Sequence, residues 1–151
     1  MNAYEKLLAC VDSIRKKTDF VPAIGVVLGS GLGEYANEIK VVATVEYSEI
    51  EGFPVSTVMG HQGKFVFGYS DEVPVVVMAG RVHYYEGYPM TDVVLPTRLM
   101  GMLGAKVLFL TNAAGGVNEH FRAGDFMLIT DHIASMVPSP LIGENLDQLG
   151  E

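Results

Sequence analysis

Residues 23–33 read AIGVVLGSGLG, a short apolar run that closes on three glycines and a serine. A strand buried on both faces shows no polar alternation, so this run predicts an interior strand, Ala23 to Leu28, with a tight turn behind it. The pattern recurs along the chain. Val73 to Ala79 (VPVVVMA) is nearly all apolar and stops at Gly80, and Lys106 to Leu110 (KVLFL) stops at Thr111-Asn112-Ala113-Ala114-Gly115-Gly116. Between them Lys64 to Tyr69 (KFVFGY) alternates with period 2, as a half-buried strand does. Val41 to Tyr47 and Phe126 to Thr130 complete the expected strands.

Helices flank these runs. Leu7, Leu8, Val11 and Ile14 form one stripe of a helix from Tyr4 to Thr18, with Arg15, Lys16 and Lys17 where the helix dipole favours cations. Thr91 is expected to cap a second helix, Asp92 to Leu103, with Pro96 near its first turn and Gly104 at its end. The tail from Pro138 reads as loop. The class is α/β: a twisted mixed β-sheet with flanking helices. So few helices leave much of an apolar sheet bare, which predicts cover from partners or from further chain.

The 151 residues suffice for one domain, and 49% apolar against 19% charged residues exclude a disordered chain. A net charge of −8 argues against a nucleic-acid surface, which needs a basic footprint, but leaves room for a small anion held by a few placed cations. The single Cys10 forms no intrachain disulfide, and no Cys/His spacing suggests zinc. The N-terminus mixes acids and bases and resembles neither a signal peptide nor a membrane span, so the expected location is cytoplasmic.

Four places could carry chemistry. The turn Gly29-Ser30-Gly31-Leu32-Gly33 is either an anion cradle of converging N–H groups or a plain strand-to-helix turn. Its third glycine arrives one place early for the dinucleotide fingerprint, and the chain holds no P-loop. His61, between Gly60 and Gly63, is either a surface residue of a hairpin turn or a contact on a loop that moves over a ligand. The strongest signal is Arg81-Val82-His83-Tyr84-Tyr85-Glu86 at the carboxyl end of an apolar strand, where sites in open α/β sheets gather. In an extended segment Arg81, His83 and Tyr85 alternate onto one side. An arginine fork can grip two phosphate oxygens, histidine adds a donor, and Glu86 could orient it. The turn at Asn112 to Gly116 exposes backbone N–H groups, or simply ends a strand.

Taken in order, Gly29-Ser30-Gly31-Leu32-Gly33, Gly60-His61-Gln62-Gly63, Gly80-Arg81-Val82-His83-Tyr84-Tyr85-Glu86-Gly87 and Thr111-Asn112-Ala113-Ala114-Gly115-Gly116 resemble the motifs of the trimeric purine nucleoside phosphorylases. The resemblance implies reversible phosphorolysis of the N-glycosidic bond of purine (deoxy)ribonucleosides, giving free base and pentose 1-phosphate. It implies that Ser30, His61, Arg81, Val82, His83 and the backbone amide of Ala113 hold phosphate, that Tyr85 touches the sugar, and that His83 with its support Glu86 serves catalysis. No metal or organic cofactor is implied, phosphate being a co-substrate, and the full-length partner is a homotrimer. A methylthioadenosine phosphorylase shares this fold and phosphate logic, but the Asn-Ala-Ala-Gly-Gly turn and the His61 loop favour the purine nucleoside reading. Family members are about twice as long, with their base-recognising residues in the C-terminal half. On that ground residues 1–151 are expected to be the N-terminal part of a single nucleoside phosphorylase domain. The alternative for the chain itself is a non-catalytic phosphate-binding or assembly fragment.

Overall fold

A computed structural model describes residues 2–55, 63–143 and 145–150. Helix α1 (Ala3–Arg15) begins at an Asn2 cap: the Asn2 side chain accepts from Glu5 N at 2.8 Å, and the Glu5 carboxylate accepts from Asn2 N at 2.8 Å. That reciprocal box satisfies two donors that a helix start leaves orphaned. The helix ends three residues earlier than Thr18. There the Arg15 guanidinium donates to Phe20 O (2.7 Å) and Leu103 O (2.9 Å), tying the end of α1 to the end of a distant helix.

Strand β1 (Ile24–Val27) is followed by α2 (Tyr35–Glu38) and β2 (Lys40–Glu46). Strands β3 (Lys64–Ser70) and β4 (Val73–Ala79) form an antiparallel hairpin, and β5 (Val107–Leu110) closes the set. The sheet order is β2-β3-β4-β1-β5; β1 runs parallel to both β4 and β5, and β2 and β3 join antiparallel. The expected mixed sheet is therefore present, open at its β5 edge among the described residues.

Alternation along β3 and β4 sends side chains to two layers. Phe65, Phe67, Val76 and Met78 meet α1 and α4 (Leu95–Met102) through Leu7, Ile14, Leu95, Leu99 and Met100. Val66, Val75, Val77 and Ala79 face the other way, toward Ala36 of α2 and Ile39. Burial raises the Cys10 thiol, inside the first layer, from 9.0 to about 11. No helix among the described residues is long and apolar enough to cross a membrane.

Two expectations need correction. The single helix from Asp92 to Leu103 is two pieces, α3 (Met90–Val93) and α4, with Thr91 inside the first rather than capping it. Pro96 has no N–H to return to the preceding turn, and the chain breaks at Val94 (φ −91°, ψ −8°). Phe126 to Thr130 is not a strand: its residues are exposed and have no ladder partner among the described residues. Apolar composition alone does not make a strand: its backbone groups must pair with a neighbour, and this segment does not pair with the open β5 edge.

Candidate active site

Ser30, Arg81 and His83, far apart in sequence, line one open cleft of about 410 Å³ beyond the carboxyl ends of β1 and β4. Gly80 makes the approach possible: its φ of +89° turns the chain out of β4 in a conformation that a residue with a Cβ resists. The Gly80 carbonyl is held by the Tyr47 hydroxyl, which donates to it at 2.7 Å from a ring only 1% exposed. Burial, and secondarily the charge of Glu46, pushes that phenol up, so it stays a neutral donor.

Hydrogen bonding orders the groups on the cleft wall. Glu86 Oε1 accepts from His83 N at 2.8 Å and lies 2.9 Å from His83 Nδ1, and the carboxylate side chain is 3% exposed. Arg81 Nε donates to His83 Nε2 at 3.2 Å. Guanidinium has no lone pair to offer, so Nε2 must accept and the ring proton sits on Nδ1, facing Glu86. Arg81 Nη1 also donates to Thr111 O at 3.2 Å. Tyr85 stacks on His83 with ring centroids 4.7 Å apart and planes 16° apart, its own side chain open to solvent.

Thr111 joins two of the strand-ending turns. Its hydroxyl accepts from Gly29 N at 2.8 Å and donates to Val27 O at 2.9 Å. The approach is so close that a Cβ on Gly29 would stand 2.7 Å from Thr111 O, which explains that glycine by crowding rather than by dihedral.

The cleft gathers some of the residues expected from sequence and leaves others outside. Glu86 reaches it through His83. Val82 is buried at 4% exposure and lines a neighbouring hollow with Met78, Val93 and Leu110. Ala113 is exposed and not part of the cleft wall, although Thr111 stands beside it. His61 lies outside the described residues. Sequence reasoning overlooked Lys64, Glu34 and Asn37, all on the cleft wall. Lys64 was available in principle, since it opens the alternating run KFVFGY and the hairpin register sets it opposite Ala79. Among the described residues no cluster of three His, Cys, Asp or Glu side chains is placed to hold a metal ion.

A serine hydroxyl and a guanidinium around one opening, with an imidazole packed beside them, can receive an anion. The chain belongs to the phosphorylase superfamily, which it matches over residues 23–149. It is 52% identical over 137 residues to purine nucleoside phosphorylase 1 of Geobacillus stearothermophilus, covering 91% of this chain and 50% of that protein. The fold superposes with a TM-score of 0.76 and 44% identity on a purine nucleoside phosphorylase in complex with ribose-1-phosphate, covering 83% of this chain and 46% of that one. The Schistosoma mansoni enzyme in complex with inosine gives a TM-score of 0.75 at 42% identity, with 83% and 44% covered. The chain thus spans about half the length of the curated relatives it matches.

Proposed function

We propose that this chain carries the phosphate-binding portion of a purine nucleoside phosphorylase, a pentosyltransferase that cleaves the N-glycosidic bond of purine (deoxy)ribonucleosides with inorganic phosphate. The observation that carries the reading is the convergence of Ser30, Arg81 and His83 on one cleft, with Glu86 fixing the histidine. The relatives' names and the ribose-1-phosphate and inosine complexes of similar folds support it. As in the resemblance, His61 joins the phosphate contacts and Tyr85 meets the sugar, while Val82, in the neighbouring hollow, and Ala113, off the cleft wall, stand outside this cleft.

Positive charge grows on the sugar as the glycosidic bond lengthens. A phosphate fixed below the anomeric carbon is both the nucleophile and a nearby anion. Fixing it in place removes orientational entropy worth up to about 7–11 kcal/mol of the barrier. A donor already aimed, as the Thr111 carbonyl aims Arg81, needs no reorganisation during the reaction. The proposal extends to a cytoplasmic enzyme of purine salvage, homotrimeric at full length and independent of metal or organic cofactor.

Incubating the purified chain with inosine and phosphate tests the reading. Release of hypoxanthine that disappears in Arg81→Ala supports catalysis by this chain. Stabilisation by phosphate without turnover assigns the chain binding alone, and the absence of both effects overturns the oxyanion cleft.

A further inference from the structure

Among the described residues, two cations line the cleft, and they are committed differently. Arg81 gives Nε to His83 and Nη1 to Thr111. Lys64 is half-buried on the same wall, and its ammonium meets no hydrogen-bond or ion-pair partner among the described residues. The sheet explains its place. Lys64 opens β3 directly opposite Ala79, the last residue of β4, and directly opposite Glu46 at the end of β2. Directly opposed residues share a face, so the lysine stem lies on the face of Val66 and Ala79 and stands beside the exit from which Arg81 departs. The carboxylates near it are already engaged: Glu34 accepts from Asn37 Nδ2 at 3.1 Å, and Glu46 caps the turn at Tyr47–Glu49.

We infer that Lys64 is a phosphate-capturing residue of this cleft, its ammonium drawing inorganic phosphate in and neutralising charge that Arg81 alone leaves uncompensated. The inference rests on the proposed oxyanion cleft and adds a residue to it. In a chain of net charge −8, an uncommitted cation at the mouth is what brings a dianion against the overall field.

Calorimetric titration of the chain with inorganic phosphate decides it. Lys64→Gln weakens phosphate binding about fivefold at about 0.01 M ionic strength, where charges act over about 30 Å. The deficit shrinks at about 0.15 M, where the screening length is about 8 Å, and Lys64→Arg restores binding. Lys64→Met keeps the apolar stem and replaces Lys64→Gln should that variant fail to fold. Binding by the lysine-free variants equal to that of the unsubstituted chain at both ionic strengths, with Arg81→Gln still defective, overturns the role of Lys64 and leaves the cleft standing. A salt-independent deficit overturns it too, by marking the loss as structural. Absence of phosphate binding in the unsubstituted chain removes both this inference and the function proposed above.

Discussion

Strands β1 and β5 lie side by side, parallel and in register from Ile24 opposite Val107 to Val27 opposite Leu110. Their sequences, IGVV and VLFL, are equally apolar, yet three of the four β1 residues are buried and all four of β5 are exposed. The difference is position. β1 sits between β4 and β5 with residues of both layers against it, whereas β5 has a neighbour on one side among the described residues. An apolar run states that a strand needs cover; its rank in the sheet decides whether the chain's own elements supply it. The site follows the same division. Ser30, Arg81 and His83 hang from the interior strands β1 and β4 and converge on the cleft, while Ala113, beyond the edge strand, stays off its wall.

The comparison breaks hardest at the interior. Phe67 is fully buried in the layer shared with α1 and α4, 6.2 Å from Phe20 and 6.4 Å from Phe65 by ring centroid. Phe67→Ala should cost about 3–5 kcal/mol, through lost transfer energy and the cavity left behind. Urea unfolding would register this as a lower midpoint at unchanged slope. A loss near that of a surface residue would mean that the helical layer does not hold the sheet.

Much of this interior was legible in sequence because each signal is local. The period of KFVFGY sorts Phe65 and Phe67 from Val66, and unbroken apolar runs mark β1 and β4, like β5, as strands in need of cover. Arg81 and His83 come together as alternation predicts, Nε standing 3.2 Å from Nε2. Tyr85 reaches His83 differently, on a 3-10 turn spanning Tyr84–Glu86, so that part of the expectation reached the right contact by the wrong geometry. What stayed illegible depends on partners distant in sequence. Lys64 joins the cleft through a hairpin register, the helix break at Val94 follows from how one proline interrupts a ladder, and Phe126 to Thr130 reads as a strand yet has no ladder partner among the described residues.

A middle-sized effect probes the joint between the two regions. Thr111 is the first residue after β5, and its hydroxyl bridges Gly29 N and Val27 O of the β1 side. Thr111→Val keeps the shape and removes both bonds, leaving the Gly29 N–H in a buried turn without its acceptor. The expected cost is about 1–3 kcal/mol. Thr111→Ser should recover most of it. Because Arg81 Nη1 donates to the Thr111 carbonyl, phosphate affinity should fall in the valine variant as well, and return in the serine one. Stability lost without any change in phosphate binding would separate the turn from the cleft.

The smallest effect is the most informative about the edge. Phe109 sits on β5 with 60% of its surface exposed, although it is as apolar as Phe67. In this chain its ring has little burial to lose, and threonine suits a strand, so Phe109→Thr should change unfolding free energy by no more than about 0.5 kcal/mol. The apolar surface around it, with Val107 and Leu110 also exposed, is larger than single scattered residues explain and invites self-association. Light scattering should therefore fall in the threonine variant while the urea midpoint stays put. A destabilisation approaching that of Phe67→Ala would show that β5 is covered in solution, and that the contrast between the two strands belongs to the isolated chain rather than to the protein's working state.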